Sequence, residues 1–313
     1  MPAIFSLTPA KAILLGEHAV VYGMPAIAVP VNQLKTKVII NALPQATPGT
    51  VQINSPNIGL STELEQLADE NPIAKAIHLV LKHFNISLAP SFRMDITSSI
   101  PVASGLGSSA ATAVGIIRSL SSFFGHPLDD KQVCEYAYEV EKTVHGNPSG
   151  IDNTVVTYNK PIYFMKGQPI EILSVKRPLI FIIADSGVKP PTSQTISQVK
   201  QALEADPVLY NDLFKKIGEC CMEGRIAIES GNLALIGRMM DLNQQILMQM
   251  NLSTPKLDCL IKAAKSAGAL GCKLSGGGGG GNMITLVDED CEDQVHEALE
   301  TAGAENIWVT TVK

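Results

Sequence analysis

Apolar residues alternate with polar ones, or run without a break, over 3–8, 12–15, 26–31 and 35–41. Their β-branched content predicts four strands at the start of the chain. Residues 44–60 carry Pro, Asn, Ser and Gly without a period and predict a loop. The spacing then changes. Ile73, Ala76, Ile77, Val80, Leu81 and Phe84 line one face of a helix over 72–84, and a strand follows at 90–97. Residues 106–124 are helical and apolar on most faces, the mark of a buried helix. Residues 129–144 carry an apolar stripe at Val133, Tyr136, Ala137, Val140 and Val144. The second half opens with a strand at 178–184 and continues with helices at 193–204, 207–230, 232–250 and 255–266. A glycine tract, a strand at 283–287, a helix at 292–301 and a strand at 306–311 complete it. No segment repeats at a fixed period. Runs of strands and runs of helices, without strict alternation, predict an α+β chain with a boundary between 166 and 190.

Composition narrows the function classes. Lys and Arg number 24 against 30 Asp and Glu, a net charge of −6, so no global field favours nucleic acid. The most apolar early stretch, 10–31, is broken by Glu17, His18 and two glycines and is no membrane span. The first residues lack the basic and apolar regions of a signal peptide. Six scattered cysteines without C-x-x-C spacing read as reduced thiols, and the expected location is cytoplasmic.

Four segments carry candidate chemistry. In the first, Lys11 and the Gly16-Glu17-His18 turn flank the apolar run 12–15, so Lys11 and Glu17 converge only through a turn at Gly16. A salt-bridged strand end is the plain alternative. The second is Pro101-Val102-Ala103-Ser104-Gly105-Leu106-Gly107-Ser108-Ser109-Ala110-Ala111, at the start of a helix. Its glycines let the backbone approach a ligand, and the helix N-terminus attracts anions. The same stretch fits the loose dinucleotide pattern Gly105-x-Gly107-x-x-Ala110, with Asp129 and Asp130 downstream. The preceding strand ends too early for that reading, and the two aspartates open a helix. The third segment is Lys273-Leu274-Ser275 followed by glycines 276–281 and Asn282, between Cys272 and a strand. It has no Walker lysine and reads as a loop that wraps a ligand with main-chain groups. In the fourth, Glu141 ends an amphipathic helix and Asp152 follows a Pro/Gly turn as a loop aspartate.

Together these segments, in order from residue 9 to 282, resemble the GHMP kinases, named for galactokinase, homoserine kinase, mevalonate kinase and phosphomevalonate kinase. The mevalonate kinase branch is the most similar, through Lys11 with Gly16-Glu17-His18-Ala19-Val20-Val21-Tyr22-Gly23 and through His145-Gly146-Asn147-Pro148-Ser149-Gly150-Ile151-Asp152-Asn153. Asp241-Leu242-Asn243-Gln244 is similar to that branch's C-terminal domain. The resemblance implies a two-domain α+β fold. An N-terminal domain, 1–175, would be like the second domain of ribosomal protein S5, with a left-handed βαβ unit. A ferredoxin-like domain, 176–313, would have a last strand free to return to the first sheet. It implies ATP-dependent phosphorylation of the C5 hydroxyl of mevalonate, with Mg2+ as cofactor and a homodimer as the assembly.

The roles it implies are these. ATP phosphates lie over Pro101, Ala103, Ser104, Gly105, Leu106, Gly107, Ser108, Ser109 and Ala110, and Gly277, Gly278 and Gly279 close over them. Ser109 and Glu141 hold magnesium. Asp152 is the catalytic aspartate and Lys11 its cationic neighbour. Lys11, Glu17, His18, Ser149, Gly150, Asp152 and Thr192 line the substrate, with His18 at its carboxylate end. Phosphoryl transfer needs charge neutralisation, alignment and a proton acceptor, and these residues supply all three.

The chain departs from the family pattern at Gly277, where relatives carry alanine, and at Asn282, where they carry a small residue. Val188-Lys189-Pro190-Pro191-Thr192 also lacks the family's arginine, Pro190 standing in its place. Other small-molecule kinases of the family, phosphomevalonate and homoserine kinase, are the nearest alternatives, and His18 with 145–153 argues against both. A non-catalytic metabolite sensor is disfavoured because Lys11, Glu141 and Asp152 are all present. An NAD-dependent oxidoreductase rests only on the loose glycine pattern.

Overall fold

The first two strands run longer than their hydrophobic patterns suggest. A computed structural model describes residues 4–102, 104–188 and 192–313, and for Thr192 and Ser193 the backbone only. In it β1, Ile4–Leu15, joins two predicted strands, and β2, Ala26–Ala42, joins the next two. Each changes character along its length. Phe5 and Leu7 are exposed and alternate with half-buried neighbours, whereas every residue from Thr8 to Leu15 is buried. β2 is buried throughout its first six residues and alternates from Leu34 onward. Continuous burial marks strands covered on both faces, and alternation marks one covered face.

These changes fall close to where the chain divides into two compact units. The first comprises residues 4–10, 34–102 and 107–159, and the second the remaining described residues. A single cut at 175 therefore does not reproduce the division, because β1 and β2 each contribute to both units.

In the first unit, β3 (Val51–Ser55) and β4 (Leu60–Glu63) form a hairpin inside the predicted loop. They are too short to give a periodic signal. α1 (Pro72–His83) is capped by Asn71, whose Oδ1 accepts from the Ile73 amide at 2.9 Å. β5 (Phe92–Ser98) follows, parallel to β3 and antiparallel to β2, in the order β4-β3-β5-β2. α2 (Ser108–Phe123) is buried on most faces, and a Cβ added to Gly115 would meet Val38 at 2.8 Å. Two β1 hydroxyls hold it: Thr8 donates to the Ala111 carbonyl at 2.7 Å and Ser6 to that of Gly115 at 2.8 Å. α3 (Asp130–His145) begins with a capping box between Asp129 and Gln132. α4 (Ile151–Tyr158) closes the unit.

The second unit begins, beyond its share of β1 and β2, with β6 (Ile162–Phe164) on β2 and the short β7 (Glu171–Ile172) on β6. Its larger part is a βαββαβ arrangement. β8 (Leu179–Asp185) leads through α5 (Thr192–Ala205), α6 (Pro207–Ser230), α7 (Leu233–Gln249) and α8 (Pro255–Ser266) to β9 (Gly271–Ser275). β10 (Asn282–Val287), α9 (Glu292–Thr301) and β11 (Asn306–Val312) complete it. The antiparallel order β11-β8-β10-β9 is that of a ferredoxin-like sheet. β11 pairs with β8 from Asn306↔Asp185 to Val312↔Leu179, so the last strand stays in this sheet and does not return to the first. α7 crosses β9 backbone to backbone, since a Cβ on Gly271 would lie 2.4 Å from the Gly237 Cα. Among the described residues no helix is long and apolar enough to cross a membrane, and all six cysteines are free thiols.

The second unit also encloses an ion pair. Lys273 of β9 and Glu17 both have side chains with no exposure, and the Lys273 ammonium donates to Glu17 Oε1 and to the Leu274 carbonyl. Glu17 Oε2 has no hydrogen-bond partner among the described residues. Burial pushes the Glu17 carboxyl up and the Lys273 ammonium down, and each charge opposes that shift in the other. Removing one member strands the other, so Glu17→Gln should lower unfolding stability by about 3–5 kcal/mol. The double change Glu17→Leu with Lys273→Met should recover most of that loss in a denaturant titration.

Candidate active site

The loop between β5 and α2 is shaped by two glycines in the left-handed region, Gly105 at φ 77° and Gly107 at φ 76°. Gly107 occupies the N-cap position of α2, so the helix begins at Ser108, two residues later than its apolar pattern suggests. A glycine cap offers no side chain to the first-turn N–H groups. Those groups and the positive end of the helix dipole form an anion site. Ser108 and Ser109 are half-buried in that first turn, and Leu106 and Ala110 are buried. Main-chain bonds secure the loop: the Lys11 amide donates to the Leu106 carbonyl at 3.0 Å. Asn282 Nδ2 donates to the Ser104 carbonyl at 2.6 Å. Ala103 lies outside the described residues, as do Lys189, Pro190 and Pro191 and the side chain of Thr192.

Ser109 and Glu141 meet. The Ser109 hydroxyl donates to Glu141 Oε1 at 2.6 Å, and His145 Nε2 lies 3.5 Å from Oε2. Glu141 is 2% exposed and is therefore not a solvated helix glutamate. A buried carboxylate beside a hydroxyl is a pair of hard oxygen donors and fits magnesium, which draws its other ligands from water and phosphate. Among the described residues no group of three His, Cys, Asp or Glu side chains could hold a metal by itself.

Asp152 is not a loop residue. Gly146 at φ 68° ends α3, Gly150 at φ 95° opens α4, and Asp152 sits half-buried in the first turn of α4. Ile151, Val155 and Val156 carry the helical spacing that would have revealed this eight-residue helix. An aspartate there is favoured by the helix dipole. α4 is pinned to α3 by Asn153, whose Nδ2 donates to the Cys134 carbonyl at 3.1 Å. Ser149 is half-buried, and its Oγ accepts from the Ile151 amide at 3.4 Å.

Lys11 is 4% exposed in β1. The turn after β1 depends on Gly16 at φ 105°, where a Cβ would lie 2.5 Å from the Ala26 Cα. His18 also adopts a left-handed backbone, φ 59°, which is uncommon for a non-glycine residue and stores strain. Its Nε2 contacts the Gly277 carbonyl at 3.0 Å. A carbonyl only accepts, so Nε2 carries the hydrogen and the lone pair of the neutral ring sits on Nδ1. Burial pushes the His18 imidazole below its usual value. Glu17, expected at the substrate, faces inward onto Lys273.

The glycine tract is an ordered turn between β9 and β10. Gly279 donates to the Leu252 carbonyl at 2.7 Å and Gly281 to that of Val188 at 2.7 Å. A Cβ at Gly278 would meet the Leu252 carbonyl at 2.6 Å, so glycine is required there. Sequence reasoning had not linked Lys273 to Glu17 or Asn282 to Ser104. A lysine in an otherwise apolar strand was the available signal for the first.

The family pattern described as the GHMP kinases N terminal domain matches residues 71–160, and that of the GHMP kinases C terminal matches 225–305. The mevalonate kinase of Thermococcus sibiricus is 32% identical over 317 residues, covering 96% of this chain and 93% of the relative. The crystal structure of L. major mevalonate kinase in complex with R-mevalonate superposes with a TM-score of 0.84 at 28% identity, over 99% of this chain and 95% of that one. The mevalonate kinase structure of Methanococcus jannaschii gives 0.85 at 27% identity, over 99% and 98%. The chain therefore belongs to the GHMP kinase family, and these relatives, matched over nearly its whole length, are mevalonate kinases.

Proposed function

We propose that this chain transfers the γ-phosphoryl group of ATP to the C5 hydroxyl of mevalonate. The observation that carries the reading is the 2.6 Å bond from Ser109 to the buried Glu141, because it puts two hard oxygen ligands at the anion-binding end of α2. The relatives supply the substrate: the L. major enzyme was crystallised with R-mevalonate. We place the enzyme in the cytoplasm on its scattered free cysteines, and as a homodimer on the resemblance alone.

The residues divide the work as follows. The first-turn N–H groups of α2 receive phosphate oxygens. Magnesium held by Ser109 and Glu141 supplies positive charge against the phosphates when bound. Asp152 takes the proton of the attacking hydroxyl as the new O–P bond forms and the bond to the β-phosphate oxygen breaks, releasing ADP. The Lys11 ammonium stabilises the negative charge that develops on the alcohol oxygen. His18 is assigned to the carboxylate end of the substrate.

Coupled ADP release with Mg-ATP against mevalonate, phosphomevalonate, homoserine and galactose tests the reading. Turnover on mevalonate alone is expected, with Asp152→Asn lowering kcat by about 10²–10⁴ while nucleotide binding is kept. Turnover on a different alcohol, or near-normal kcat in the variant, would overturn the substrate or the base. Glu141→Gln should raise the magnesium concentration needed for half-maximal rate, with little change at saturating magnesium if Ser109 still binds. His18 gives a pH signature. Its native value is lowered, so below about pH 6.5 the unfolded chain binds a proton that the native ring refuses. Stability should therefore rise with pH up to about 6.5, by at most about 1.4 kcal/mol per pH unit from this group, and then level off. Unfolding titrations of His18→Gln should show a shallower slope in that window.

A further inference from the structure

The Asp241-Leu242-Asn243-Gln244 stretch of α7 is left over by the chemistry above, and the structure gives it a definite task. Among the described residues β9 is an outer strand that pairs with β10 alone, so its other edge leaves main-chain N–H groups without strand partners. α7 supplies them from side chains. Asp241 Oδ1 accepts from the Cys272 amide at 2.9 Å, and Gln244 Oε1 accepts from the Leu274 amide at 2.9 Å. Asn243, adjacent to Gln244 on the helix, reaches another segment, where its Oδ1 accepts from the Gly16 amide at 3.1 Å.

Two of these acceptors are oriented by second partners. Lys265 donates to Asp241 Oδ2 at 2.7 Å, and Gln244 Nε2 donates to Ser253, whose hydroxyl donates to Asp258. Asn243 differs. It has no exposure, and its Nδ2 has no hydrogen-bond partner among the described residues. A buried donor without a partner costs about 1–3 kcal/mol, so leucine would serve better if this position only filled space. What Asn243 holds is the residue that starts the Glu17–His18 turn. What Gln244 holds is the residue between Lys273 and Ser275, where the chain enters the glycine tract. Ser275 itself bonds back to β1, accepting from the Ile13 amide at 3.1 Å and donating to its carbonyl at 3.0 Å.

We propose that Asn243 and Gln244 are positioning residues with separate targets: Asn243 fixes the His18 turn for the alcohol substrate, and Gln244 fixes β9 and the glycine tract for the nucleotide. The inference rests on the phosphoryl-transfer reading given above. A merely structural pair would weaken both ligands equally, whereas these two bonds end on different segments, which meet at the Glu17–Lys273 pair and the His18–Gly277 contact, so each variant should act first on its own segment's ligand.

Calorimetric titration with mevalonate and displacement of a fluorescent ATP analogue, on the whole chain, give both dissociation constants without turnover. Asn243→Leu should weaken mevalonate about tenfold and leave the nucleotide within about twofold, since one hydrogen bond is lost at one target. Gln244→Leu should do the reverse. Gln244→Glu, which keeps an oxygen acceptor for the Leu274 amide but loses the donor to Ser253, should restore nucleotide binding in part. Equal weakening of both ligands in both variants, or unchanged constants with a lower unfolding midpoint, would overturn the proposal. If Asn243→Leu does not fold, Asn243→Ser gives the same readout. A wild type that binds and turns over no mevalonate defeats the functional reading, and the Gln244 pair of variants then decides the inference by nucleotide binding alone.

Discussion

The second unit is organised around charge that water cannot reach. Glu17 and Lys273 come from opposite ends of the sequence and meet with no side-chain exposure. Neither tolerates such burial alone, because a desolvated charge costs several kcal/mol unless it is paired. The pair therefore obliges the turn after β1 and strand β9 to stay together. Everything that follows each of them in the chain inherits that placement: His18 on one side, the glycine tract on the other, joined again at the Gly277 carbonyl. The arrangement is not the cheapest in stability, since an apolar pair of similar volume is often as good or better.

Backbone geometry supplies a second constraint. Gly16, Gly278 and Gly280 stand where any side chain would collide with main chain. Gly105, Gly107 and Gly150 bend the chain into left-handed turns that start helices α2 and α4 with no side chain on the cap. At α2 a cap without a side chain leaves the first-turn N–H groups open to a ligand's oxygens, which suits a site for anions, whereas at α4 Ser149 takes the Ile151 amide. The six consecutive glycines do not make a flexible tether, because the Gly279 and Gly281 amides are engaged by the Leu252 and Val188 carbonyls.

Polar side chains finish what the sheets leave open. Among the described residues β9 has a strand on one edge only, and α7 fills the other edge with a carboxylate and an amide. Direct backbone contact between Gly237 and Gly271 brings the helix close enough for these short side chains to reach. Asn282, a departure from the family's small residue, ties the end of the glycine tract to the Ser104 carbonyl.

By itself the sequence determined the long helices, the α+β character, the glycine-bearing turn that opens α2 and the family, because periodic spacing and glycine-bearing motifs are local signals. It also placed Ser109 and Glu141 in one site, though only through resemblance. It missed β3, β4, β6, β7 and β9, whose two to five residues hold too few periods to stand out, and it missed α4 although Ile151, Val155 and Val156 carry helical spacing. Only the tertiary structure decided that β1 and β2 are single strands shared by two units, and that the last strand completes the second sheet. It alone gave Glu17 its partner 256 residues away and gave Asn243 the Gly16 amide. Contacts between distant segments depend on which surfaces remain after the helices and sheets have packed, and no local pattern in the chain encodes that remainder.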